Sequence, residues 1–219
     1  HDQRTLFNVG QSDKPATVSF LAPAQDDKLS ITSNRLRAMS VIHHMNLRLQ
    51  QLIPGQIGRF DDAFNINCVG DYFQAQGVAT ILFEAGHFSD DYNREETRKF
   101  IALSILKALS FISSGAVSEN DLNFYLEIPE NNTLFFDVLL KNVLISSDEQ
   151  ECKIDIGIAY EETLTDRKVS FSPKIMTKGD LSSHFGHMSL DLKNTPLNTS
   201  EDVLELLGRG FCDIFIKSC

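Results

Sequence analysis

The feature that most constrains the fold is a change in the spacing of apolar residues about halfway along the chain. Up to the tripeptide Ser113-Ser114-Gly115, short apolar runs alternate with stretches in which apolar residues recur every three or four positions. Beyond it, apolar and polar residues alternate in several segments. The first pattern is typical of strand–helix units and the second of half-buried strands. We therefore predict an α/β domain over residues 1–115 and a smaller antiparallel β domain over residues 116–219.

Two strands and three helices are predicted in the first domain. Val78–Phe83 is a continuous apolar run, the pattern of a strand that is covered on both faces. The longest amphipathic pattern stops at Pro54-Gly55, and Asn93 with Glu96 three residues later is a capping-box variant for the last helix. The predicted strands cover residues 16–21 and 78–83, and the predicted helices cover residues 33–52, 70–76 and 93–115.

The second domain is predicted to consist of strands that are separated by polar turns. Alternation is clearest where isoleucine or leucine occupies every second position. The predicted strands cover residues 122–128, 133–145, 154–160, 169–176 and 188–192. The stretch 200–217 is compatible with a helical turn followed by a strand.

Composition excludes several classes of partner. The chain has 20 Lys and Arg against 30 Asp and Glu, and a net charge of −10 repels phosphate backbones and anionic lipid surfaces. No apolar run approaches the ~20 residues that span a bilayer. The four cysteines show no paired spacing, which favours reduced thiols and a cytoplasmic location. Nucleic acid and membranes are thus not expected partners, and the oligomeric state is left open.

Glu84 is the position that most strongly suggests chemistry. It ends the apolar run Val78–Phe83, and in open α/β sheets ligands bind beyond the ends of such strands. A carboxylate in that place can act as a general acid or base, although it can equally cap a loop or pair with an arginine. Phosphate-binding glycine loops and the GxSxG elbow are absent from the sequence.

The histidines and paired acids give weaker signals. His43 and His44 are neighbours on a predicted helix, so they should project about 100° apart and not chelate one ion together. His87 is expected to be a hydrogen-bonded loop residue rather than a metal ligand. The acidic pairs at 26–27, 61–62 and 90–91 are expected to be solvated loop charges.

Gly77–Phe111, taken with residues 1–5 and the loop 57–71, resembles the zinc carboxypeptidase superfamily, and most of all its bacterial carboxypeptidase A-like members. In that family two histidines and a glutamate bind zinc, the first two ligands lying in an HxxE motif, and a second glutamate is the general base. By this resemblance His1 matches the later zinc-binding histidine and Glu84 matches the base. The resemblance implies the C-terminal part of a mixed-sheet α/β/α peptidase domain.

The resemblance also implies what this chain lacks. No HxxE motif occurs in the 219 residues, and the chain opens on His1 without an initiator methionine, so we expect a fragment whose zinc site is incomplete and which is inactive alone. In the intact protein, zinc is expected as cofactor and a C-terminal peptide bond as the substrate. Arg59, Asn65 and Asp71 match the loop that lines the substrate pocket, although each could instead order that loop through hydrogen bonds.

Two other functions remain open from the sequence. An N-acyl amino acid deacylase of the aspartoacylase and succinylglutamate desuccinylase branch would use the same metal and base, and it too carries a C-terminal β domain. A catalytically silent binding module, whose β domain recruits a partner through an exposed strand edge, is the alternative from a different class.

Overall fold

The computed structural model describes residues 5–115, 117–118, 120–147, 150–194, 196–197, 202–203 and 205–207. The chain divides into two compact units, the first ending at Thr133 and the second beginning at Leu134. The first unit combines helices with a mixed sheet, and the second is built on a four-stranded, mostly antiparallel sheet. The predicted fold class, an α/β unit followed by a β unit, is confirmed.

The first unit contains a three-stranded sheet and a small two-stranded sheet. Its elements are β1 (Asn8–Val9), β2 (Val18–Leu21), α1 (Ser33–Leu49), β3 (Ile57–Arg59), α2 (Val69–Ala75), β4 (Leu82–Ala85), α3 (Glu95–Ser114), α4 (Asn120–Leu126) and β5 (Asn131–Asn132). The larger sheet has the order β3-β2-β4, with β2 parallel to β3 and antiparallel to β4. Strands β1 and β5 pair antiparallel.

One side of the larger sheet forms the main hydrophobic core. Val18, Phe20 and Ile57 are fully buried there. They pack with the buried stripe of α1, which includes Met39 and Ile42, and with residues of α3 and α4. Helix α1 packs against both α3 and α4. The three helices α1, α3 and α4 thus cover this one side of the sheet.

The first helix begins as the sequence predicts but ends one turn early. The side chain of Thr32 caps it by accepting a hydrogen bond from the Arg35 N–H. Helix α1 stops at Leu49, and the next residues close a turn in which the N–H groups of Leu52 and Ile53 both donate to the Leu49 carbonyl. The predicted end at Leu52 is therefore three residues too late.

The start of α3 differs from the predicted capping box. Arg94, with a left-handed φ of 64°, is the N-cap residue. The carboxylate of Asp91, not the side chain of Asn93, accepts the N–H groups of Glu96 and Thr97, at 3.1 and 2.8 Å. Burial alone would raise the pKa of Asp91, but these hydrogen bonds outweigh it and the pKa is lowered. Asp91 is therefore not the solvated loop charge that the sequence predicts.

The strand predicted over residues 122–128 is wrong, because most of this segment forms helix α4. The alternation of Leu122, Phe124 and Leu126 suggested a strand, yet Phe124 and Leu126 are exposed. The buried positions are Asp121, Tyr125 and Ile128. Their spacing of four and then three is the helical period.

The second unit contains β6 (Phe135–Ser147), β7 (Gln150–Thr165), β8 (Lys168–Gly179) and β9 (Phe185–Asp191) in the order β8-β7-β6-β9. Strands β6, β7 and β8 pair antiparallel, whereas β9 pairs parallel to β6 at the opposite edge from β8. Leu181, in the connection between β8 and β9, packs on Phe136 and Leu139. The four strands predicted between residues 133 and 192 are thus present, with shifted ends.

A second group of buried residues in this unit includes Val138, Ile156, Val203 and Leu207. Much of the stretch 200–217, for which the sequence allowed a helical turn and a strand, lies outside the described residues. Within the described part of the chain, no helix is both long and apolar enough to cross a lipid bilayer.

Candidate functional site

The side of the β3-β2-β4 sheet that faces away from the helices is polar. Ser19 lies opposite Glu84 on β4 and beside Gly58 on β3. Cross-strand partners point to the same side of a sheet and successive residues point to opposite sides. Because Val18 and Phe20 pack in the helical core, Ser19, Gly58 and Glu84 share the opposite side. We call the group Ser19, Gly58, Glu84 and Asn131 the polar face.

Glu84 is only 4% exposed. Glutamate is almost never buried to this extent unless it is paired or has a function, since removing a carboxylate from water is costly. The sequence predicts Glu84 at the end of a strand, and the structure places it one residue before the end of β4. Its burial on the polar face makes it the strongest candidate for chemistry in the first unit.

Asn131 lies close over the same side of the sheet. Its Nδ2 is 2.9 Å from Ser19 Oγ, which in turn is 3.1 Å from Asn131 Oδ1. A Cβ atom added to Gly58 would lie 1.8 Å from Asn131 Oδ1. Position 58 therefore has to be glycine for the asparagine side chain to approach the sheet and hydrogen-bond with Ser19.

The backbone that follows Glu84 is hydrogen-bonded to Thr17, just before β2, and to Arg94 at the start of α3. The Gly86 N–H donates to the Thr17 carbonyl at 2.8 Å, and Thr17 Oγ1 lies 2.8 Å from the His87 carbonyl. The guanidinium of Arg94 donates to the Ala85 carbonyl. These contacts hold the backbone on the C-terminal side of Glu84 in one position, which is what a catalytic carboxylate requires.

Arg59, predicted to bind substrate, does not lie on the polar face. It pairs in register with Phe20 and therefore points to the helical side of the sheet. Its Nη2 lies 2.6 Å from Glu130 Oε1, and its guanidinium carbon lies 5.6 Å from the centroid of the Tyr125 ring. The structure thus does not bring Arg59 together with Glu84.

Asn65, in the loop before α2, and Asp71, in the first turn of α2, lie close together but away from Glu84. Asn65 is exposed, and its Oδ1 accepts the Asn67 N–H at 3.1 Å, which closes a local turn. Burial raises the pKa of Asp71, while hydrogen bonds from the backbone of Asn65 and Ala24 oppose that shift. Because Ala24 follows the carboxyl end of β2, this pair lies beyond that end, whereas Glu84 pairs with the second residue of the strand.

The sequence analysis missed a buried ion pair beside this loop. Arg35 is 1% exposed, and its Nη2 lies 2.6 Å from Asp62 Oδ2. Its other nitrogens donate to the carbonyls of Ala22 and Leu29. Asp62 is therefore not the solvated loop charge that was predicted. The helical period could have predicted the burial of Arg35, since Arg35 precedes the buried Met39 by four residues and lies on the same side of α1.

A second cluster that the sequence did not predict joins α1 to α4. One ring nitrogen each of His43 and His44 and one carboxylate oxygen of Asp121 all lie within 4.8 Å of one another. The two imidazoles, which the sequence predicts to project apart, have ring centroids only 5.1 Å apart. Among the residues that the structure describes, this is the group of His, Cys, Asp and Glu side chains that could hold a metal.

The zinc site implied by the family resemblance needs more than this chain supplies. His1 lies outside the described residues, and the sequence offers no HxxE motif for the other two ligands. The residues present therefore do not complete that site. Comparisons with protein-family models, with curated proteins and with solved structures find no match to this chain.

Proposed function

We propose that this chain contributes the general base, Glu84, and one metal-binding imidazole, His1, to a zinc-dependent hydrolase of the carboxypeptidase type. The observation that carries the proposal is the burial of Glu84 on the polar face of the sheet. The opposite side is filled with apolar side chains and helices. A buried carboxylate beside hydrogen-bonding side chains is typical of functional sites, which supports the proposal.

The chemistry assigned to Glu84 is proton transfer. Its carboxylate takes a proton from the attacking water and delivers it to the leaving nitrogen of the cleaved amide. Zinc, when bound, would polarise the scissile carbonyl and acidify the water. Ser19 and Asn131 hydrogen-bond to each other beside Glu84, so they keep this side of the sheet polar and in one arrangement.

The two ligands of the HxxE pair would come from a segment outside residues 1–219, and two surfaces of the first unit support this. Within the described residues β4 is the last strand of the sheet order β3-β2-β4. Helix α3, which packs against β4, is apolar on most of its circumference, a pattern typical of helices buried on all sides. Its exposed large apolar residues are Ile105, Leu106, Leu109 and Ile112.

Substitution of Glu84 tests the proposal directly. In the zinc-loaded protein that includes the segment with the HxxE motif, we expect Glu84→Gln to lower kcat about 10²- to 10⁴-fold, because general-base catalysis contributes that much. The zinc content should stay unchanged. The matched control is Glu96→Gln, an exposed glutamate that pairs with Lys99 on α3. A Glu84→Gln protein that keeps the full rate would remove Glu84 as the base.

A substrate comparison separates the peptidase from the deacylase. Peptides with a free C-terminal carboxylate and N-acyl amino acids would be assayed in parallel, each with the wild type and with Glu84→Gln. The proposal expects release of C-terminal residues from the peptides, and loss of that activity in the variant. Turnover of the N-acyl amino acids alone would assign the deacylase function to the same base.

A further inference from the structure

We propose that His43, His44 and Asp121 form a binding site for a divalent transition-metal ion of the zinc type. This site is separate from the zinc site that the proposed function assigns to His1. It lies within the helical layer of the first unit, where the two histidines are on α1 and the aspartate is in the first turn of α4. A bound ion would therefore link α1 to α4.

The geometry of the three side chains is close to that of a metal site. Their ligand atoms lie within 4.8 Å of one another. In a tetrahedral zinc site, with metal–ligand bonds of about 2.1 Å, the ligand atoms are about 3.4 Å apart. Binding of an ion would therefore bring the ligand atoms closer by at most about 1.4 Å. Two imidazoles and one carboxylate leave a fourth position for water, as in open zinc sites.

The burial of His43 is the second observation that points to a ligand. The side chain is 9% exposed, and within the part of the chain that the structure describes its Nδ1 is buried without a hydrogen-bond partner. An unsatisfied buried ring nitrogen lowers the stability of the fold, so native proteins rarely leave one unexplained. Metal coordination in this cluster would explain why an imidazole, rather than an apolar side chain, occupies the position.

Neighbouring aromatic rings restrict the rotation of both imidazoles. The His43 ring stacks on Phe124 of α4 with 4.8 Å between centroids, and the His44 ring stacks on Phe111 of α3 with 4.0 Å between centroids. Restricting the rotation of ligand side chains lowers the entropy that is lost when an ion binds. The cluster is thus held near its binding arrangement by packing from two different helices.

The charges also suit a cation. Asp121 is 5% exposed, and its Oδ2 accepts the Ser118 N–H at 3.1 Å, while a carboxylate offers about four lone-pair positions in all. Lone pairs of this carboxylate beyond the one that accepts the Ser118 N–H are therefore left for a cation.

Titration of the metal-stripped chain with Co²⁺ tests the site. We expect one equivalent of Co²⁺ to bind with the visible absorption of a tetrahedral site that has no thiolate ligand, and Zn²⁺ to displace it. His44→Gln and Asp121→Asn should each weaken Co²⁺ binding at least tenfold. Circular dichroism verifies that each variant is folded, and the shift in Tm that Zn²⁺ causes in the wild type should be absent from both variants.

Control variants separate this site from the proposed function. His1→Ala removes the imidazole of the other zinc site, and His184→Gln removes a histidine of the second unit, so both should bind Co²⁺ as the wild type does. Co²⁺ binding that is lost in His1→Ala and kept in His44→Gln would overturn the inference and favour the site at His1. Binding that is kept in His44→Gln and Asp121→Asn, or no binding by the wild type, would overturn it as well.

Discussion

The two sides of the β3-β2-β4 sheet are built from the same three strands but from opposite types of residue. On one side Phe20 and Ile57 are buried under the helices. On the other, Ser19, Gly58 and Glu84 occupy the neighbouring positions of the same strands, with Asn131 placed over them. A sheet that serves only to stabilise the fold usually carries apolar residues on each side that is covered. The polar face combines a buried carboxylate with hydrogen-bonding side chains, which is why we assign the proposed function to it.

The two sides of the sheet should differ most in the free energy of unfolding that is lost when a side chain on each side is truncated to alanine. Phe20 is fully buried and its ring packs edge-on against Phe83, with 5.3 Å between centroids. We expect Phe20→Ala to lower the free energy of unfolding by about 3–5 kcal/mol. The matched change on the polar face, Ser19→Ala, should cost only about 1 kcal/mol, since it removes one hydrogen-bonded pair. Urea denaturation measures both, and equal losses would contradict the assignment of the two sides.

A substitution at Gly58 tests whether Asn131 lies over the polar face. Gly58→Ala places a methyl group against Asn131, so the asparagine has to move and leave Ser19. We expect a loss of about 1–3 kcal/mol in the free energy of unfolding, as for other overpacked sites. The same substitution in an Asn131→Ala background should cost clearly less, because the clash is then gone. An unchanged cost in the double variant would show that Asn131 does not lie over Gly58.

The cap of α3 tests how the helical layer is held in place. Asp91→Ala should lower the free energy of unfolding by about 1 kcal/mol near neutral pH, because three hydrogen bonds to the start of α3 are lost. The pKa of Asp91 is lowered in the folded protein, so its contribution is complete above the ordinary carboxyl pKa of about 3.9 and is lost as the pH falls through the folded pKa.

Urea denaturation at a series of pH values gives the measurement for this cap. The difference between wild type and Asp91→Ala should shrink steadily below about pH 4. Asn93→Ala is the control, since Asn93 was the predicted cap and no hydrogen bond from its side chain to the start of α3 is described. If Asn93→Ala costs more than Asp91→Ala, the capping described for α3 is incorrect.

The smallest effect is expected on the outer surface of α3. Leu109 is exposed, so Leu109→Gln should change the free energy of unfolding of this chain by less than about 0.5 kcal/mol. On the inner surface, Phe100→Ala should cost several times more, about 3 kcal/mol or above, because Phe100 is buried in the core. In a longer protein in which another segment covers α3, Leu109→Gln should become destabilising. A large loss in the present chain would mean that Leu109 is already buried.

The sequence predicts the architecture better than it predicts the site. The 3–4 spacing that marks α1 and the alternation that marks the strands of the second unit follow directly from burial on one side of each element. The strand predicted around Tyr125 is wrong because Leu122, Phe124 and Leu126 alternate by chance, while the residues that pack inward follow the helical period. The predicted capping box of α3 is also wrong, because the helix is capped by Asp91 from the preceding loop and not by Asn93.

The composition of the polar face could not be derived from spacing alone. Glu84 was found because it ends an apolar run, but the other side chains of the polar face, Ser19 and Asn131, are 112 positions apart and meet only in the folded chain. The cluster of His43, His44 and Asp121 likewise depends on the packing of α4 against α1. Interactions between distant segments are set by tertiary structure, which local patterns do not encode.

We propose that catalysis takes place at the polar face, and not on the helical side of the sheet. A crystal structure of the zinc-loaded protein that includes the HxxE segment, with zinc located by anomalous scattering, tests this proposal. We expect a zinc ion on the side of the sheet that carries Ser19 and Gly58, bound by His1 and faced by the carboxylate of Glu84. A zinc ion that neither His1 nor Glu84 reaches would contradict it.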